Sequence, residues 1–175
     1  MKQTNINITY QDKSFNYLIE YIQDPDYSDI GDLMYTAFPQ LDRLDIVSES
    51  DYIYYGRKNL DFGQGFYVTN IREQAITWAN NVSRNRKEPA ILNRYKLNKE
   101  ALLKEAKCKI FETYNEDWLE FIIANRAGLN VANEYDYVEG GVANDRVVDT
   151  VNLYTAGLID LNGALRELSK HQPNN

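Results

Sequence analysis

Residues 60–69, LDFGQGFYVT, are the stretch that most constrains how this chain of 175 residues folds. Gly63 and Gly65 lie one residue apart, and glycine permits backbone angles and close approaches that a Cβ forbids. Aromatic and β-branched side chains at residues 66–68 predict a short strand directly after the glycines. Apolar residues then recur at helical spacing within residues 71–78, which predicts a helix. A glycine turn, a strand and a helix in this order predict one wall of a cleft.

Two interpretations of these glycines remain open. A Gly-x-Gly step before a strand is often only a tight turn or a β-bulge, and Tyr67 would then be a core or rim aromatic. In the functional interpretation, the glycines place the ring of Tyr67 at the wall of a cleft. The stretch is not a Rossmann fingerprint, because in that motif the glycines follow the first strand and open a helix.

Composition excludes several classes of protein. A formal net charge of −7 argues against nonspecific nucleic-acid binding, which needs a basic surface. Cys108 and His171 are the single cysteine and the single histidine, so the sequence predicts no disulfide framework, no metal site and no Cys–His nucleophilic pair. No apolar run reaches membrane-spanning length, and the polar N-terminus lacks the apolar core of a signal peptide. We therefore expect one compact cytoplasmic domain that binds no membrane, with export as an effector left open.

Periodicity along the rest of the chain predicts a mixture of helices and strands. Predicted strands cover residues 5–10, 52–55, 89–95, 107–112 and 135–138. Predicted helices begin at Ser14, Ile71, Asn98, Asn115, Val147 and Asp160, several of them at a side chain that can cap. Residues 27–38 have the spacing of a short helix that Pro39 would stop.

The sequence LDFGQGFYVT followed by EQAITWA resembles the signature of a bacterial domain-of-unknown-function family. That family is classed with the ADP-ribosyltransferase-like folds of poly(ADP-ribose) polymerases and diphtheria toxin, and the box is more distantly similar to their FGKGIYF-type box. Further matches follow in the expected order: WLEFIIANR at 118–126, YDYVEGGVANDR at 135–146 and LYTAGLID at 153–160. The resemblance covers the chain from about Ile46 to about Ser169. It also makes Asn125 and Arg126, at the end of the first of these matches, candidates for support of the cleft.

The resemblance implies an α+β fold, an ADP-ribosyltransferase-like split β-sandwich of two small sheets flanked by helices, with an NAD cleft between the sheets. Residues 46–175 would form this core, and residues 1–45 would pack on it as a helical and strand segment. The resemblance also implies one more strand after Gln172, which would carry the third cleft motif and its acidic residue. Because the sequence ends at Asn175, that strand either lies beyond it or is missing.

In such enzymes the tyrosine of the Gly-x-Tyr step stacks on the nicotinamide, and here that residue is Tyr67. A histidine expected on the first cleft strand is absent. Residues 34–37 are its local counterpart, which places Thr36 at the histidine position and favours a strand there, although residues 54–56 are a rival alignment. The cofactor-binding residues that the resemblance implies are Tyr35, Thr36, Asp61, Gly63, Gly65, Phe66, Tyr67 and Arg146.

Glu139 and Asp145 are the candidate catalytic carboxylates. Both lie beside glycines or turn residues after the predicted strand 135–138, where the backbone is exposed. Asp145 has a second interpretation, as the cap of the helix over residues 147–156.

Together these features imply an enzyme that uses NAD to modify a protein or nucleic-acid target. It would be a bacterial toxin of a toxin–antitoxin or effector system, with an antitoxin or immunity protein as partner. The alternative is a catalytically inactive relative that acts as a nucleotide- or protein-binding module.

Overall fold

The computed structural model describes residues 4–5, 9–10, 13–14, 19–21, 33–36, 59–65, 67–87, 89–90, 92–141 and 145–171. The chain divides into two compact units. The first contains the described residues of Met1–Tyr55 and Phe66–Glu105, and the second those of Gly56–Gly65 and Ala106–Asn175. The glycine stretch therefore contributes to both units, and the boundary lies between Gly65 and Phe66.

A four-stranded antiparallel sheet forms the body of the first unit. Its strands stand in the order β1, β4, β6, β5, and a separate antiparallel pair joins β2 to β3. β6 pairs on both sides and alternates buried with half-buried residues, as a central strand does. The strands are β1 Thr4–Asn5, β2 Thr9–Tyr10, β3 Lys13–Ser14, β4 Ile19–Tyr21, β5 Leu33–Thr36 and β6 Asn93–Leu97.

The helix predicted from Ser14 is wrong, because β3 ends at Ser14 and Ile19–Tyr21 is strand β4. Apolar spacing suggested a helix, but pairing of Ile19 with Leu97 and of Tyr21 with Tyr95 decides the conformation. Around Met34 the strand favoured by the family alignment is the correct alternative, since β5 pairs with β6 there. Residues 52–55 lie outside the described residues.

Two helices complete the first unit: α1, Arg72–Arg86, and α2, Lys99–Glu105. Both were predicted, and Asn98 caps α2 by accepting a hydrogen bond from the Ala101 N–H at 3.1 Å. The strand predicted over residues 66–68 is wrong at its described positions, since Tyr67 and Val68 belong to no strand. Instead the Thr69 hydroxyl accepts a hydrogen bond from the Ile71 N–H at 3.1 Å and donates one to Gln74 at 2.6 Å. These two bonds connect Thr69 to the first turn of α1.

Short helices and a two-stranded parallel sheet form the second unit. The strands are β7, Cys108–Phe111, and β8, Tyr137–Gly140. The helices are α3 Glu116–Arg126, the 3-10 helix Val131–Glu134, α4 Asp145–Thr155 and α5 Leu161–Leu168.

Helix ends in the second unit follow the predicted capping residues. Asn115 accepts from the Trp118 N–H at 2.9 Å, and Asp160 accepts from the Gly163 N–H at 2.7 Å. Gly157 ends α4 with a φ of 69°, and its N–H donates to the Tyr154 carbonyl. α4 begins at Asp145, two residues before the predicted Val147.

One apolar core fills the second unit. Trp118, Leu119 and Ile122 of α3 are fully buried in it, which confirms the predicted core position of Trp118. On β7, Phe111 is 3% exposed whereas its neighbour Ile110 is 43% exposed, so β7 turns the Phe111 face toward the core. Val147, Val151, Ala164 and Leu168 complete the core from α4 and α5.

The chain therefore folds as a mixed α+β protein, as predicted. None of the helices in the described part of the chain has the length and apolar character that crossing a membrane requires. The predicted boundary between residues 1–45 and 46–175 stays a prediction.

Candidate functional site

The first half of the glycine stretch forms a tight turn in the second unit. The Gly63 N–H donates to the Leu60 carbonyl at 3.0 Å, and Gly63 has a φ of 74°, in the left-handed region that favours glycine. A Cβ on Gly63 would lie 2.8 Å from the Cβ of Ala132. Glycine is therefore needed at this position both for the backbone angle and for the space.

Asp61 attaches this turn to the end of α3. The Arg126 Nε donates to Asp61 Oδ1 at 2.7 Å, and the two side chains are only 26% and 15% exposed. The Asn125 Nδ2 donates to the Asp61 carbonyl at 3.2 Å, and Asn125 Oδ1 accepts from the Ala132 N–H at 3.1 Å. The Asp61 carboxylate thus has a partner within the protein, which is a structural role for a residue predicted to bind the cofactor.

Phe62 connects the turn to the parallel sheet. Its ring stacks on Phe111, with centroids 6.2 Å apart and planes 13° apart, and a second ring, Phe121, lies 6.3 Å away. A Cβ on Gly140 would lie 3.3 Å from the Phe62 Cζ and 3.0 Å from the Phe111 Cβ. Gly140 therefore makes room for the packing of the turn against β8, one residue after Glu139.

Glu139 belongs to β8, and so does not follow the strand as predicted. The Tyr137 hydroxyl donates to Glu139 Oε2 at 2.9 Å, because side chains two residues apart lie on one face of a strand. Beyond the strand, the buried Trp118 Nε1 donates to the Gly141 carbonyl at 3.0 Å. These two hydrogen bonds fix the carboxylate and the backbone that follows it.

Electrostatics keep the Tyr137 hydroxyl protonated. Burial, and then the negative charge of Glu139, raise the pKa of Tyr137 well above its ordinary value of 10.0. Burial, and then the charges of Asp136 and Glu139, also raise the pKa of the Cys108 thiol. Tyr137 is therefore a lasting hydrogen-bond donor to Glu139, and Cys108 is a poor nucleophile.

The structure brings some of the predicted site residues together. Asp61 and Gly63 lie on either side of Phe62, whose ring reaches Gly140 beside Glu139. Gly65 also belongs to the second unit, but its backbone is not left-handed, and among the described residues beyond its chain neighbours no atom lies within 4 Å of its ideal Cβ. Arg146 is exposed on α4.

Other predicted residues are placed elsewhere or not described. Tyr35 and Thr36 lie in β5 of the first unit, with side chains outside the described residues. Tyr67 belongs to the same unit and is partly exposed, so it is not a fully buried core aromatic. Phe66 and the side chain of Asp145 lie outside the described residues. Asp145 is the first residue of α4.

Sequence reasoning missed Phe62 and Tyr137 as members of this site. Phe62 was visible as the aromatic between Asp61 and Gly63, and Tyr137 as the residue two positions before Glu139. The resemblance kept Asn125 and Arg126 as candidates for support of the cleft, but it did not predict their hydrogen-bond partners. Among the described ranges, no group of three or more His, Cys, Asp or Glu residues could hold a metal ion.

Gly63→Ala should lower the free energy of unfolding by roughly 2–5 kcal/mol, from left-handed strain and overpacking together. Gly157→Ala is the matched control, since its φ is 69° and its Cβ would meet no atom of the described part of the chain within 4 Å beyond its chain neighbours. It should cost only the strain, about 1–2 kcal/mol. Gly65→Ala should change stability by less than about 0.5 kcal/mol. Urea unfolding measures all three, and equal losses at Gly63 and Gly157 would contradict the close approach to Ala132.

Glu139→Gln should lower the pKa of Tyr137 but leave it raised, because burial is the larger cause. The pKa can be followed by NMR of tyrosine labelled with 13C at Cζ, with Tyr137→Phe to assign the signal. The pKa of Tyr137 is higher in the folded protein than in the unfolded chain, where it is about 10. The free energy of unfolding therefore falls as the pH rises above 10, because the unfolded chain loses this proton first. The wild type should thus lose more stability than Tyr137→Phe above that pH, and parallel curves would contradict the burial of the phenol.

Comparison with known proteins gives a family. Residues 45–175 match the model of a family described as a protein of unknown function, DUF3990. No curated protein and no solved structure matches the chain. The match confirms the predicted membership of a family of unknown function, while the classification of that family with ADP-ribosyltransferases stays a prediction. Because the match covers most of the sequence, the chain belongs to the DUF3990 family.

Proposed function

We propose that this protein is an ADP-ribosyltransferase that uses NAD to modify a macromolecular target. The observation that carries the proposal is the pair of Glu139 and Tyr137 on β8, next to the packed glycine turn. The proposal includes a split β-sandwich of the ADP-ribosyltransferase type as the fold.

The chemistry explains why a fixed carboxylate matters. Cleavage of the bond between nicotinamide and ribose passes through an oxocarbenium-like cation, so a negative group near the ribose stabilises the transition state. The same carboxylate can polarise the attacking nucleophile. The Tyr137 hydroxyl holds one oxygen of Glu139 at 2.9 Å, which removes the need to order the carboxylate during the reaction. Asp145 is the alternative acid.

Binding of NAD is assigned to the residues of the resemblance. Tyr67 stacks on the nicotinamide, and its partial exposure is compatible with a ring that meets a ligand. Thr36 takes the place of the expected histidine with a hydroxyl in place of an imidazole. Tyr35, Phe66 and Arg146 complete the proposed set with Asp61, Gly63 and Gly65.

The biological setting follows from the same resemblance. The protein would be a bacterial toxin or effector that acts in the cytoplasm on a protein or nucleic-acid target and is held in check by an antitoxin or immunity protein. Its net charge of −7 favours a target or partner with a basic surface.

A second candidate function is binding without catalysis. Thr36 in place of the expected histidine favours a catalytically inactive relative, and the engagement of the Asp61 carboxylate by Arg126 gives that residue a structural role. Such a protein would be a nucleotide- or protein-binding module. NAD would then raise its melting temperature without being consumed.

Glu139→Gln should reduce NAD consumption by about 100-fold or more, the usual effect of removing one group that stabilises developing charge. NAD binding, measured by the rise in melting temperature, should survive. Tyr67→Ala should instead abolish that rise, because the stacking surface is lost.

Glu120→Gln is the matched control, since Glu120 is exposed on α3 and lies outside the proposed site. Equal NAD consumption in Glu139→Gln and Glu120→Gln would contradict the role of Glu139. A wild-type protein that binds NAD and consumes none with any candidate target would support the inactive relative.

A further inference from the structure

The last turn of α3 and the start of the 3-10 helix contact the glycine turn through hydrogen bonds and close packing. The side chain of Asn125 donates to the main-chain carbonyl of Asp61, and the side chain of Arg126 donates to the Asp61 carboxylate. Ala132 lies against Gly63. Asn59 lies near Gly128, where a Cβ would be 3.5 Å from its Oδ1. The turn is therefore attached along its length and is not a free loop.

Asn125 connects the glycine turn to the 3-10 helix. It is 1% exposed, its amide nitrogen donates to the Asp61 carbonyl, and its amide oxygen accepts from the Ala132 N–H. Only a side chain with both a donor and an acceptor satisfies these two backbone groups at once. Replacing Asn125 with an apolar residue leaves a partly buried carbonyl and a buried N–H without these bonds.

Arg126 holds the same turn by a different bond. Its Nε donates to Asp61 Oδ1 at 2.7 Å, and its charge lies at the C-terminal end of α3, where the helix dipole favours a cation. An asparagine at position 61 still offers an oxygen to Nε, whereas an alanine offers none. This difference provides a conservative variant for a test.

We propose that Asn125 and Arg126 are positioning residues that preset the glycine turn for its ligand, and so control affinity for NAD without acting in the chemical step. The proposal rests on the proposed function for the identity of the ligand. Apparent affinity falls in proportion to the fraction of molecules that hold the binding conformation. Glu139 is held separately, by Tyr137 and by the Trp118–Gly141 hydrogen bond. Loosening the turn therefore weakens NAD binding and leaves kcat in place.

The test uses the full chain and the variants Asn125→Ala, Asp61→Ala, Asp61→Asn and Arg126→Lys. Asn125→Ala and Asp61→Ala should raise KM for NAD about tenfold, with kcat within about twofold of the wild type. Asp61→Asn should recover most of the affinity that Asp61→Ala loses. Asn152→Ala, an exposed asparagine on α4, is the control and should change neither constant. A merely structural role would lower the active fraction, and so kcat, while KM stayed the same.

Hydrogen exchange supplies a readout that does not depend on NAD. The Gly63 amide, bonded to the Leu60 carbonyl, should exchange about tenfold faster in Asn125→Ala than in the wild type. The Gly157 amide, bonded to the Tyr154 carbonyl, is the internal reference and should not change. If Asn125→Ala fails to fold, the same comparison of Gly63 exchange rates is made between Asp61→Ala and Asp61→Asn.

Unchanged exchange at Gly63 overturns the proposal. Faster exchange with an unchanged KM overturns its claim on affinity. If the wild type neither binds nor consumes NAD, the proposed function fails on its own, and the affinity claim for NAD falls with it. The exchange rates then still decide whether α3 holds the turn.

Discussion

Packing of the Phe62 ring against Phe111 is the contact on which the candidate site depends. The ring projects from the glycine turn and lies near Gly140. It therefore connects a turn and a strand that are far apart in sequence. Gly140 lacks a side chain where that ring arrives, and Gly63 lacks one where Ala132 arrives. Two close approaches therefore place the turn beside the strand that carries Glu139, and the one at Gly63 requires glycine.

Polar contacts add direction to this apolar packing. Asn125 satisfies one partly buried carbonyl and one buried N–H, and the buried N–H would cost about 1–3 kcal/mol if left unpaired. The ion pair of Asp61 and Arg126 is partly shielded from water and contributes modestly, about 1 kcal/mol or less by comparison with exposed pairs. The ring contact therefore places the turn against the sheet, and the amide of Asn125 selects its orientation.

Local features of the fold were predictable from sequence, and long-range ones were not. Asn115, Asp160 and Gly157 act at helix ends within a few residues of themselves, so their side chains or backbone angles were enough to predict them. Apolar spacing around Ile19 is typical of a helix, but Ile19 takes its conformation from pairing with β6. For the site, Glu139 was identified from its glycine neighbours. The role of Asn125 depends on a partner 64 residues away, which no local pattern reveals.

A double-mutant cycle between Phe62 and Phe111 tests most directly whether the turn is packed on the sheet. The free energy of unfolding would be measured by urea denaturation for the wild type, Phe62→Leu, Phe111→Leu and the double variant. Rings in contact predict that the loss in the double variant is smaller than the sum of the two single losses by a coupling energy of about 0.5–1.5 kcal/mol. Single losses that add to within about 0.3 kcal/mol would show that the two rings do not interact and would contradict this arrangement of the site.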